Sequence, residues 1–116
     1  MHEMSLVRDV VDVVVRAAER QGATQVKTVN LTIGYGRDVV PELFGDLFKH
    51  LSQGTVAQGA ELVVDNPPYM VRCNECGTIY HLDTLDRRTW DCPMCGRRAY
   101  TVVSGMEFRI DSICVA

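Results

Sequence analysis

Residues 71–96 read VRCNECGTIYHLDTLDRRTWDCPMCG, and two Cys-x-x-Cys pairs, Cys73/Cys76 and Cys92/Cys95, frame this stretch with 15 residues between them. Zinc takes four ligands at the corners of a tetrahedron, and one Cys-x-x-Cys turn offers two thiolates from a single knuckle. The spacing therefore predicts one four-cysteine zinc site. Gly77 and Gly96 follow the two pairs, where each knuckle needs a residue that tolerates positive φ. Four thiolates leave no position for water or substrate, so the expected role is structural. Residues 73–96 hold few large apolar side chains, and the metal is expected to supply the folding energy of this module.

Outward from the module, the periodicity changes to that of regular structure. A helix is predicted over about residues 4–21, with Val7, Val10, Val11, Val14 and Ala18 on one stripe and Arg8, Asp12, Arg16 and Glu19 on another. Gly22 is its expected stop. Over 26–33, Val29, Leu31 and Ile33 alternate with Thr28, Asn30 and Thr32, the period of a half-buried strand. Pro41 suits the first turn of a second helix, whose face would carry Leu43, Phe44, Leu47, Phe48 and Leu51 before Gly54. Residues 60–64 read as a second strand, and Met106, Phe108 and Ile110 open a third. The fold class is α+β: two helices packed on a three-stranded, mainly antiparallel sheet, with Leu31, Leu62 and Phe108 on the shared face. The four-cysteine, zinc-ribbon-like module is inserted between the second and third strands. On this reading residues 1–70 with 102–116 form one domain and 71–101 the zinc-binding module.

Composition narrows the function. In 116 residues, 12 Lys and Arg face 15 Asp and Glu, a net charge of −3, which argues against nucleic acid or an anionic membrane as partner. Within the module Arg87, Arg88, Arg97 and Arg98 are balanced by Glu75, Asp83, Asp86 and Asp91. No apolar run approaches the roughly 20 residues of a membrane span. The start, Met1-His2-Glu3-Met4, lacks the features of a signal peptide, and a cytoplasmic location is expected. A reducing cytoplasm favours metal over disulfides for the paired cysteines. The fifth, Cys114, reads as a small buried hydrophobe on the last strand. His81 reads as a surface residue near the first pair, with a place beside the metal as the alternative. His50 suits the end of the second helix. No phosphate-cradling motif or nucleophile–base pair is visible, so no enzyme is expected.

Two further features bear on chemistry. Cys76-Gly-Thr-Ile-Tyr80 and Cys92-Pro-Met-Cys95-Gly96 resemble rubredoxin, which leaves a redox or regulatory four-cysteine protein as an alternative, although rubredoxin's gap between pairs is longer. At the other end, His2 stands beside the chain's amine, and a bulky second residue favours retention of Met1. The Met1 amine, the His2 amide nitrogen and the His2 imidazole can close consecutive chelate rings, and such nitrogen donors suit Ni(II) or Cu(II). By itself, a histidine there is also what any exposed residue could be.

Met-His-Glu-Met-Ser-Leu at residues 1–6 resembles the start of the hydrogenase nickel-incorporation proteins of the HypA/HybF family. The likeness continues through Leu31-Thr-Ile-Gly34, the stretch Leu51-Ser-Gln-Gly-Thr-Val-Ala-Gln-Gly-Ala-Glu-Leu62, the four-cysteine module and Phe108-Arg-Ile. The resemblance implies a nickel metallochaperone for [NiFe] hydrogenase maturation, with nickel at Met1, His2 and Glu3 and zinc at Cys73, Cys76, Cys92 and Cys95. It implies a nickel-handling GTPase and the hydrogenase large subunit as partners and, in some members, urease accessory proteins. The sequence departs from the family in two places. Tyr35 and Val40 stand where acidic residues are common, with Asp38 nearby. Thr78 and Gly96 stand where some members carry histidines beside the zinc cysteines.

Overall fold

The computed structural model describes residues 3–116. Its elements in chain order are α1 (Glu3–Arg20), β1 (Val26–Ile33), α2 (Pro41–Leu51), β2 (Glu61–Asp65), β3 (Met70–Cys73), β4 (Ile79–His81), β5 (Tyr100–Ser104) and β6 (Phe108–Val115), with 3-10 turns at Tyr35–Arg37 and Arg87–Thr89. The chain divides into two compact units. One comprises Met1–Leu31, Val39–Asp65 and Arg109–Ala116; the other comprises Thr32–Asp38 and Asn66–Phe108.

In the first unit, α1 buries Val7, Val10, Val11, Val14 and Ala18, the stripe expected from its helical period. Gly22 adopts φ +69°, and the Gly22 and Ala23 N–H groups donate to the Glu19 and Ala18 carbonyls, closing the helix. The two helices pack against each other. On α2 the buried residues are Phe44 and Phe48, while Leu43, one residue out of phase with them, is exposed. The face is therefore narrower than its five apolar residues suggest.

The sheet order is β2-β1-β6. Ala116 N–H donates to Gln25 and Gly34 N–H donates to Glu107 at opposite ends of β1, so β6 lies antiparallel to it. At the other edge Val26 N–H reaches Val56, just before β2, and the Asn66 amide, just after it, reaches the Ile33 carbonyl. These two strands run the same way, with α2 as the crossover. As the middle strand, β1 buries Val26, Val29, Leu31 and Ile33, and also Thr32, where strict alternation predicts an exposed side chain.

Strand β6 starts at Phe108 and not at Met106. Gly105 takes φ +104° and donates its N–H to Glu107 Oε1, forming a turn that leaves Met106 exposed. Cys114 is also exposed, contrary to expectation: half-buried Ile113 and Val115 flank it, so it points to the other face of an edge strand.

The second unit holds a three-stranded sheet that the sequence periodicity does not announce. β3 is central and pairs antiparallel with β4 and β5, with Val71 opposite both Tyr80 and Val102. Val71, Cys73, Tyr80, Leu82 and Cys92 form its core, and Tyr69, Trp90 and Tyr100 pack against it. The module thus has more of a core than its few aliphatic residues suggest, because aromatic rings and two of the cysteines fill it. Across the two units, the sheets are mostly antiparallel.

One backbone crossing in this unit is tight. Gly36 N–H donates to Gly105 at 2.8 Å, and a Cβ on Gly34 would collide with the Gly105 backbone. Gly34→Ala is expected to destabilise the protein by about 3 kcal/mol, as overpacking against immovable backbone does. Chemical denaturation of purified protein measures this directly.

Candidate metal centre

The two knuckles are built alike. Cys73 N–H donates to Thr78 and Gly77 N–H to Cys73, while Cys92 N–H donates to Arg97 and Gly96 N–H to Cys92, all at 2.8–2.9 Å. Gly77 and Gly96 adopt φ +80° and +78°, the conformation expected for both. Each hairpin turn thereby projects its two sulfurs toward the other. Cys73 and Cys95 Sγ lie 3.5 Å apart and Cys76 and Cys92 Sγ 3.6 Å apart, and all four fall within 4.8 Å of one another.

A tetrahedral ion with bonds of about 2.3 Å requires sulfur–sulfur edges of about 3.8 Å. A disulfide needs about 2.05 Å. The cluster has the dimensions of the first and not of the second, and all four cysteines are free. Four soft donors in this arrangement suit zinc or an iron–thiolate centre.

The site is electrostatically poised for a cation. The Thr78 hydroxyl, 3.1 Å from Cys76 Sγ, and the Thr78 backbone N–H hold the Cys76 thiol down to about 6, the neighbouring Cys92 and Cys73 adding to the effect. The backbone N–H of Cys76 lowers Cys73 against the cost of burial. Cys95 goes the other way, to about 12. The Arg97 N–H favours its thiolate, but desolvation and the three surrounding sulfurs outweigh it. A bound dication removes that conflict by neutralising the charge that the fourth thiolate adds. Nearby, burial and the Cys92 and Cys73 charges raise Tyr80, which stays a neutral phenol donating to the Trp90 carbonyl at 3.0 Å.

Thr78 and the Met94 N–H, which donates to Cys92 Sγ at 3.4 Å, are supporting groups that sequence reasoning missed. The signal for Thr78 is a hydroxyl two residues after a ligand cysteine, within reach of its sulfur. Thr78→Val is expected to raise Cys76 from about 6 toward the ordinary thiol range, which the thiolate absorbance of metal-free protein at pH 7 would register as a loss.

The remaining predicted residues are placed differently. Met1 and His2 lie outside the described residues. The Glu3 carboxylate accepts a hydrogen bond from Val40 N–H at 3.1 Å, at the start of α2. The Val40 side chain makes no cap to the first turn; Glu3 instead satisfies the N–H of Val40 itself, across 37 residues of sequence. His81 is exposed on β4 and Asp38 adopts φ 64° after the 3-10 turn; neither joins the four sulfurs, which are the only such ligand group among the described residues. His50 is exposed in the last turn of α2. Arg8, Asp12 and Arg16 are exposed along α1, with Arg16 and Asp12 paired at 3.3 Å.

Two helices and a small sheet, with a four-thiolate cluster in a second small sheet, define an α+β metal-binding protein. A family described as hydrogenase/urease nickel incorporation, metallochaperone, hypA, matches residues 1–115, and the chain belongs to that family. It is 36% identical over 115 residues to the hydrogenase maturation factor HypA of Chlorobium luteolum, covering 99% of this chain and 96% of that protein. Its fold is similar to a solution structure of HypA protein, at TM-score 0.72 and 22% identity over 100% of this chain and 97% of that one. It is also similar to the solution structure of the Ni metallochaperone HypA from Helicobacter pylori, at TM-score 0.64 and 21% identity over 99% and 97%. The family is one of nickel incorporation, not of iron–thiolate electron carriers. No helix among the described residues is long and apolar enough to cross a membrane.

Proposed function

We propose that this protein binds one Ni(II) at its N-terminus and delivers it during [NiFe] hydrogenase maturation, while one structural Zn(II) occupies Cys73, Cys76, Cys92 and Cys95. The observation that carries this reading is the family match over residues 1–115, joined to the His2-Glu3 start and the four converging sulfurs. Nickel is cargo here. Its donors are the Met1 amine, the His2 amide and imidazole nitrogens, and the Glu3 backbone or a partner side chain. The Glu3 carboxylate is already engaged by Val40, which favours a backbone role for Glu3 at the metal.

Residues 1–70 with 102–116 serve as the nickel-handling part and 71–101 as the zinc-binding part. The protein works in the cytoplasm and is not an enzyme. A nickel-handling GTPase docks on α1, with exposed Arg8, Asp12 and Arg16 setting the orientation, because a donor site near the helix start must approach its acceptor. The hydrogenase large subunit receives the nickel, and urease accessory proteins are the other candidate recipients.

The test is complementation of a hydrogenase-positive strain lacking its own HypA. The wild-type chain is expected to restore nickel-dependent hydrogenase activity, and His2→Ala is not, unless excess nickel is supplied. Full restoration by His2→Ala at limiting nickel would overturn N-terminal delivery.

A further inference from the structure

The unit that bears the four cysteines also carries a cavity of about 340 Å³, lined by Tyr35, Gly36, Asp38, Tyr69 and residues 81–85. Two apolar side chains stand at this cavity almost fully in solvent: Leu85 is 94% exposed and Tyr35 75%. Neither sits on loose chain. The Asp83 carboxylate accepts from Leu85 N–H at 2.9 Å, and the Asp83 carbonyl accepts from Asp86 N–H, the Thr89 hydroxyl and the Trp90 indole. Tyr35 N–H donates to Pro67 and Gly36 N–H to Gly105. A single exposed leucine is ordinary on a protein surface. Two large apolar groups at one concavity, on backbone already ordered by these hydrogen bonds, form a contact surface with a lowered ordering cost of binding.

Its charge selects the occupant. Asp38 and Asp83 line the cavity, no lysine or arginine does, and the Asp38 carboxylate has no cationic partner among the described residues. Asp38, Asp83 and His81 do not converge as a ligand set, so the charge does not describe a metal site. We propose that this cavity docks a segment of a partner protein in which a leucine-sized apolar side chain adjoins a lysine or arginine. The apolar group packs against Tyr35, Tyr69 and Leu85, and the cation faces Asp38 and the tyrosine rings.

The test uses the full-length, metal-loaded chain, labelled with ¹⁵N, and three capped peptides: acetyl-Arg-Leu-Arg-amide, acetyl-Arg-Ser-Arg-amide and acetyl-Glu-Leu-Glu-amide. The first is expected to shift the Tyr35, His81 and Leu85 amides saturably, and the other two to bind more weakly. Leu85→Ser should weaken the first peptide about tenfold, because a buried leucine contact is lost. Asp38→Asn should weaken it about threefold, an effect that added salt erases. Both residues are exposed, so neither change touches the core, and unchanged amide dispersion elsewhere verifies the fold. Equal response to all three peptides, or shifts elsewhere on the chain, would overturn the proposal. So would concentration-dependent shifts of these amides without peptide, which would make a second copy of the chain the occupant.

Discussion

Acetylation of the Met1 amine is expected to abolish high-affinity nickel binding while leaving the metal of the four cysteines in place. The addition removes no side chain. It converts the Met1 amine into an amide and supplies no new amine, so the chelate rings that begin at the amine can no longer close; an added glycine would not serve, because Gly-Met-His offers an amine, two amides and an imidazole in consecutive rings of its own. His2→Ala removes the imidazole donor and should have the same result. Changes in outer-shell partners typically cost about 10–100-fold in metal affinity, and loss of a direct donor should exceed that. The metal competes with protons for the amine and the imidazole, so nickel affinity should rise with pH and fall steeply below the imidazole's ordinary value of about 6.5. Calorimetry on the wild-type, N-acetylated and His2→Ala chains checks both the loss and its direction with pH. Full affinity in the acetylated chain would place the nickel site elsewhere.

The second large effect concerns the four cysteines. Cys73→Ser, or removal of zinc by a strong chelator, is expected to unfold residues 71–98 and leave α1 and α2 helical. A structural zinc site contributes about 10–16 kcal/mol to the folding of small modules, more than a core of this size can replace. Cys73 and Cys92 are themselves buried members of that core, so releasing the metal leaves hydrated thiolates or loose thiols where packing was. Amide spectra should lose dispersion across 71–98 while far-ultraviolet helical signal persists; an unchanged spectrum after complete zinc removal would defeat the structural role. Because Cys95 sits at about 12 and holds its proton at pH 7, zinc uptake should release at least one proton there. Below about 6, where Cys76 also becomes protonated in the metal-free chain, competition by protons increases, so affinity falls as pH falls. Zinc titration in buffers of different ionisation enthalpy counts these protons.

What can be read directly from the sequence are features that repeat or that chemistry fixes at short range. The α1 stripe from Val7 to Ala18, the Gly22 stop, and the Gly77 and Gly96 knuckle turns all depend on neighbours within a few residues. The four cysteines are legible because ligand number and knuckle spacing constrain them together. Features set by tertiary context are not. β3, β4 and β5 are three to five residues long, too short for a period-two pattern to stand out, and their core consists of rings and cysteines more than aliphatic residues. Cys114 reads as buried and is not, because alternation along an edge strand does not tell which face is covered. Glu3 capping the start of α2 through Val40 N–H joins residues 37 positions apart, and nothing local announces it.

Nickel and zinc are assigned chemically different sites, nitrogen donors at the N-terminus and thiolates at Cys73, Cys76, Cys92 and Cys95. Nickel K-edge X-ray absorption on the zinc-loaded, untagged chain with one equivalent of Ni(II) tests this separation most directly. The expected spectrum shows a first shell of nitrogen and oxygen scatterers with an imidazole contribution that disappears in His2→Ala. Sulfur scatterers in the nickel first shell would contradict the separation and assign the cargo to the cysteine cluster.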